Sequence, residues 1–128
     1  MKLLDLTANP VGGPLRTLWH VLHVGPDAVI APVRGGRAAL AVSRPLVTIL
    51  DGRPENAGSN LRALLERIQA RRSALVYAAD RPTAVAYALA WSLDLSRIRL
   101  ANPALISPAL IERELARRRD GRRSWHST

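Results

Sequence analysis

A chain of 128 residues, 48 % of them hydrophobic and none of them cysteine, can form one domain with its own core, and it excludes a disulfide frame, a thiolate nucleophile and a cysteine-based zinc site. The formal net charge is +9, and Lys2 is the one lysine among 19 basic residues, so an anionic partner is expected, met by arginine forks that pair bidentately with phosphate or carboxylate. No stretch reaches the ~18 apolar residues of a membrane span, and Asp5 interrupts the first apolar run before a leader could form, so the expected setting is cytoplasmic with no membrane partner.

The elements follow in chain order. Lys2–Thr7 reads as a strand that ends in the breaker-rich loop Asn9–Pro14. Leu15–Val24 suits a short helix with Leu15, Leu18, Trp19 and Leu22 on one face. Asp27–Ser43 carries two apolar runs around Arg34-Gly35-Gly36-Arg37, the pattern of a β-hairpin with a two-arginine tip. Pro32 places its first arm at a sheet edge. Leu46–Leu50 is a further strand. A helix capped by Ser59 or Asn60 then runs to Arg72, with Leu61, Leu64, Leu65 and Ile68 as the stripe that meets the sheet. Ala74–Ala79 lacks polar alternation, as a strand covered on both faces should. Thr83–Leu93 is apolar nearly all round, and Arg97–Leu100 is a short strand. Ser107-Pro108 starts a last helix that runs to about Arg119. Residues 1–119 are thus read as one domain and 120–128 as a flexible basic tail.

Strands alternating with helices predict a three-layer α/β domain with a mostly parallel, Rossmann-like sheet and the hairpin added to it. Four apolar runs end at a polar residue with proline close behind: Asn9-Pro10, Asp51-Gly52-Arg53-Pro54, Asp80-Arg81-Pro82 and Asn102-Pro103. The carboxyl ends of parallel strands are where such sheets bind ligands. That edge is therefore the expected site, and Asp51, Arg53, Asp80 and Arg81 are its informative residues.

Lys2-Leu3-Leu4-Asp5, Ala78-Ala79-Asp80-Arg81 and Asn102-Pro103 resemble strand ends of PIN-domain ribonucleases. The resemblance covers a minor part of the chain, and Gly36–Pro45 offers no helical acid of the kind that family carries. It implies a metal-dependent nuclease in which acids share Mg²⁺ or Mn²⁺. Asp5, Asp51 and Asp80 are the catalytic and metal-ligating candidates on that reading, because carboxylates at neighbouring strand ends can hold a cation that activates water. The plainer reading makes Asp51 a turn former and Asp80 a helix cap.

Phosphate-cradling loops are missing: no G-x-x-x-x-G-K-[ST] occurs, and Val11-Gly12-Gly13-Pro14 is not a dinucleotide fingerprint. His20 and His23 stand three apart on one helix, with no third ligand nearby in sequence. Arginines cluster instead. Arg34 and Arg37 cap the hairpin, Arg71 and Arg72 end a helix, and Arg117, Arg118, Arg119, Arg122 and Arg123 close the chain beside Trp125. With Arg53 and Arg81 these are the anion-binding candidates. Three function classes follow. The first is a non-enzymatic domain that binds nucleic acid or another polyanion, without a cofactor. The second is the metal-dependent phosphodiester hydrolase. The third is a homo-oligomeric structural or adaptor protein joined through the apolar Thr83–Leu93 helix.

Overall fold

The structure, a computed structural model, describes residues 2–6, 13–33, 45–56, 58 and 60–126. Its elements are β1 (Leu3–Asp5), α1 (Gly13–Val24), β2 (Ala28–Pro32), β3 (Leu46–Leu50), α2 (Leu61–Arg72), β4 (Leu75–Ala78), α3 (Arg81–Trp91), β5 (Ile98–Leu100) and α4 (Pro108–His126). The five strands form one sheet in the order β1-β2-β3-β4-β5, and every neighbouring pair is parallel. The expected α/β architecture with a mostly parallel sheet is therefore what the chain adopts.

Because each strand lies beside its predecessor, every crossover advances in the same direction. Crossovers of one hand then put their helices on one face. Packing agrees with this. Val21 of α1 meets Val29, Ala31 and Leu46. Ala70 of α2 and Ala84, Tyr87 and Trp91 of α3 meet Leu50, Val76 and Ala78 on the same side. The alternate residues Ala28, Ile30, Val47, Ile49, Leu75 and Tyr77 point to the other side, where Ile111 and Leu115 of α4 cover them. All five residues of β3 are buried, which accounts for a strand that is apolar at every position but Thr48.

Three expectations change. First, β2 is no edge strand: β1 and β3 occupy its two sides. The N–H groups of Val29 and Val33 point toward β3, onto Pro45 O and Ile49 O. Pro32, at the alternate position, faces β1, whose last paired residue is Asp5 opposite Ile30. Its missing N–H therefore falls beyond the end of β1 and breaks no ladder bond. The expected second hairpin arm, Ala38–Val42, and the Arg34–Arg37 tip lie outside the described residues.

Second, α2 is rotated away from its leucine stripe. It buries Ala63, Glu66, Gln69 and Ala70, while Leu61 is 72 % exposed, Leu64 37 % and Ile68 36 %. Polar groups at the interface make this rotation tolerable. Gln69 Nε2 donates to Thr48 Oγ1 (3.3 Å), and Ser73 Oγ donates to Gln69 O (2.6 Å). Thr48 and Ser73 hydroxyls share the remaining short bond, and with Ser73's proton committed, Thr48 is its donor. The ring of donors closes through a buried threonine in the middle of β3.

Third, α4 does not stop near Arg119 but continues to His126. The helix starts agree with the sequence. Asn60 Oδ1 accepts the Arg62 N–H (2.9 Å), and Ser107 Oγ accepts the Leu110 N–H (3.2 Å).

Candidate functional site

A parallel sheet has two unlike edges, and the sequence directs attention to the carboxyl one. The informative segment there is Asp51–Asn56, which leaves β3. Gly52 takes φ 68°, a left-handed turn that suits glycine. The segment is then held from beneath by α3. Tyr87 donates its hydroxyl proton to Asp51 O, and Trp91 Nε1 donates to Glu55 O at 2.7 Å. Further out, Glu55 takes Arg62 Nη2 at 2.7 Å and Asn60 Nδ2 at 2.9 Å. At the next strand exit, Asp80 caps α3: its Oδ1 accepts the Thr83 N–H at 2.8 Å. The Thr83 backbone N–H, followed by the Thr83 side chain, holds this carboxyl below its ordinary range. Arg53 and Arg81 are exposed on the same edge. Asn102, at the last exit, caps a short 3-10 turn through the Ala104 N–H at 3.0 Å. These residues share the carboxyl edge, yet Asp80 and Asn102 spend their side-chain oxygens on caps, and Asp51 and Glu55 give their carbonyls to the aromatic brace.

Asp5 stands apart from that group. It is level with Ile30, which is level with Val47. Asp51 lies four residues beyond Val47, so the two acids are separated by roughly 13 Å along the strands and by two strand spacings across them. Among the described residues no three His, Cys, Asp or Glu side chains are grouped so as to hold a metal ion. Asp5, Asp51 and Asp80 are thus not gathered as the resemblance implied. The α1 histidines engage an aromatic ring instead: Trp19 stacks on His23 (5.1 Å between centroids, 5°) and meets His20 edge-on (5.6 Å, 82°).

The amino edge gathers a second group of arginines. Strand starts and helix ends meet there, and α2 delivers Arg71 and Arg72 in its last turn, both exposed. Arg97 precedes β5 and donates to Ser73 O at 3.4 Å. The Arg118 guanidinium of α4 reaches Ala74 O, the residue before β4. From that anchor α4 continues for eight residues, about 12 Å of helix, and on this stretch lie Arg119, Arg122 and Arg123. Arg117 lies one residue before the anchor, 3.7 Å from Glu114, which also takes Arg99 at 2.9 Å. Two acids at this edge are occupied. Asp27 accepts the Lys2 backbone N–H (2.8 Å), and Asp94 accepts from the N–H and hydroxyl of Ser96, which with Arg97 nearby hold its carboxyl below its ordinary range.

A cleft of about 240 Å³ opens at the same edge between the end of α2 and the α3–β5 connection. Its floor is Ala70, Val76 and Ile98, and Arg71, Asp94 and Arg97 stand around it. Sequence reading missed this cleft, although a signal was present: Arg71 comes shortly before β4 and Arg97 directly before its neighbour β5. Arg34 and Arg37 lie outside the described residues. Among the described residues no helix is long and apolar enough to cross a membrane. Compared with known proteins, the chain matches no family model, no curated protein and no solved structure.

Proposed function

We propose that this chain is a binding domain for a polyanion, nucleic acid foremost, which it holds along the amino edge of its sheet. The observation that carries this reading is the course of α4. The helix crosses the back of the sheet, anchors through Arg118 at Ala74, and carries Arg119, Arg122 and Arg123 onward from the edge where Arg71, Arg72 and Arg97 already stand. Arginines at helix ends also neutralise the helix dipole, and Arg97 in part does this work. The number on this edge exceeds that need. Contacts of this type engage phosphates and not base edges, so the binding is general in sequence.

The test is titration of fluorescent single-stranded and duplex oligonucleotides over a range of salt. Affinity should fall linearly in log–log form as salt rises, because each neutralised phosphate releases counterions. Replacing Arg71 and Arg72 together by alanine should weaken binding and flatten that slope by up to about two. The pair Arg122→Ala and Arg123→Ala should do the same. Replacing Arg53 and Arg81, on the opposite edge, should leave the slope unchanged. Affinity indifferent to salt, or lost only with Arg53 and Arg81, overturns the proposal.

A further inference from the structure

The cleft at the amino edge joins three kinds of surface that a phosphate grip does not need together. Its floor is apolar. Val76 of β4 and Ile98 of β5 are level in the sheet and share one core cluster with Ala70 of α2, which completes the floor. Its rim is cationic, with Arg71 from the last turn of α2 and Arg97 directly ahead of β5. Arg97 Nη2 donates to Ser73 O at 3.4 Å, which steadies the guanidinium and leaves its remaining N–H groups for a ligand. The rim also carries a carboxylate. The chain leaves α3 through Ser92, at a left-handed φ of 55°, and reaches Asp94 shortly after. Asp94 Oδ1 accepts both the N–H and the hydroxyl of Ser96, at 3.0 and 2.7 Å. Its Oδ2 accepts no hydrogen bond among the described residues.

We propose that this cleft receives one unpaired nucleotide of a single strand. Its base lies on the floor of Ala70, Val76 and Ile98, a base amino group donates to Asp94, and the adjoining phosphate meets Arg71. This rests on the reading of the amino edge as the polyanion site, and it adds one base contact to a grip otherwise general in sequence. Each surface rules out a simpler occupant. A bare phosphate would face a carboxylate across the cleft and lie on aliphatic carbon, which stabilises no charge. An aliphatic side chain of a protein partner would cover the floor but would desolvate Asp94 Oδ2 without giving it a donor. A nucleotide matches all three surfaces: a flat face that buries well, amino N–H groups at its edge, and an anion beside it. At about 240 Å³ the cleft is smaller than the ~300 Å³ at which sites for drug-sized ligands begin, so it holds one ring system and no stack. A paired base keeps its faces inside the duplex, so the entering base is unpaired. The guanidinium planes of Arg71 and Arg97 give it further surface to stack on. Asp94 then discriminates between pyrimidines: cytosine presents an exocyclic amino group where thymine presents a carbonyl oxygen, which the carboxylate repels.

Fluorescence anisotropy of the full chain with short labelled strands of equal length is the test. Oligo(dC) should bind roughly three- to tenfold more tightly than oligo(dT), about what one hydrogen bond to a charged acceptor contributes. A strand of abasic spacers, with the same phosphates and no bases, should bind about fivefold more weakly than oligo(dC), or weaker still. Asp94→Asn keeps an oxygen for the Ser96 cap but offers thymine O4 a donor, so the preference for cytosine should vanish or reverse. Because the readout is a ratio of two strands, the general gain from removing a negative charge cancels. Strands that bind with the expected salt dependence but equally well with cytosine, thymine or no base overturn this inference and leave the polyanion edge standing. So does a cytosine preference that Asp94→Asn leaves unchanged. Failure of every strand to bind, or binding indifferent to salt, overturns the edge itself and this inference with it. Free cytidine monophosphate that displaces oligo(dC) at equal nucleotide concentration also overturns it, because the cleft then serves a free nucleotide. The abasic comparison uses the unaltered chain and does not depend on a variant that folds.

Discussion

Helices α2 and α3 have nearly the same length, follow one another on the same face of the sheet, and use their side chains in opposite ways. α3 turns its largest residues inward. Tyr87 and Trp91 are both 1 % exposed, stand edge-on with centroids 4.8 Å apart, and each donates a hydrogen bond to the loop that leaves β3. α2 turns Glu66 and Gln69 inward and leaves Leu61 and Leu64 exposed. The difference teaches that apolar periodicity identifies a helix without fixing its rotation. An aromatic ring with a polar tip sets rotation firmly, because it fills volume and satisfies a carbonyl at once. A buried amide sets it only through partners, and here one of its atoms has none: Gln69 Oε1 is buried without a hydrogen bond.

Graded substitutions test that contrast. The largest effect belongs to Trp91→Ala, which empties a fully buried site and strands Glu55 O; it should cost about 3–5 kcal/mol in a denaturant titration. Tyr87→Phe removes one hydroxyl and leaves Asp51 O unpaired, at a cost of about 1–2 kcal/mol. Its control is Tyr77→Phe, on the other face of the sheet. That hydroxyl is buried without a hydrogen-bond partner, and burial followed by the Glu114 charge raises its pKa. Its removal should be neutral or stabilising. Gln69→Met keeps the volume and discards the orphaned oxygen together with two long bonds of 3.3 and 3.4 Å; the change should stay below about 1 kcal/mol. A Gln69 variant as damaged as Trp91→Ala would erase the distinction between the helices.

The smallest effect concerns the α3 cap. The folded pKa of Asp80 lies below its unfolded value, so the cap's charge-dependent stabilisation is present above the unfolded value, near pH ~3.9, and is lost as pH falls through the folded one. Melting temperature between about pH 5 and pH 2 should fall slightly more for the wild type than for Asp80→Asn, which keeps a capping oxygen but cannot titrate.

Much of this could be read from residues alone. Pro54, Pro82 and Pro103 each follow a strand exit, and Asn60 and Ser107 are the caps their spacing predicts. What stayed hidden depends on partners distant in sequence. The inward turn of α2 requires Thr48 and Ser73 to receive Gln69, and nothing near Leu61–Ile68 announces them. Pro32 reads as an edge signal because proline lacks a donor; that β1 ends before reaching it is a matter of relative strand length. The aspartates read as one cluster because the strand exits share an edge, yet Asp5 sits within its strand and two strands away from Asp51. The arginines of α4 read as a frayed tail because apolar spacing is lost there, whereas a helix already anchored through Ile111, Leu115 and Arg118 needs no apolar face to continue.

The strand order has a consequence for how the chain folds. Partners across the sheet are separated by between 17 and 28 residues in sequence, from Val29 beside Leu46 to Val47 beside Leu75. No strand must wait for one synthesised much later, and none inserts between two already paired. Each unit docks on the one before it, as turns are added to a solenoid. Loop closures of this length are entropically cheap, and low contact order favours fast folding. The sheet can therefore grow from β1 toward β5 as the chain emerges, with α4 closing over the back face last.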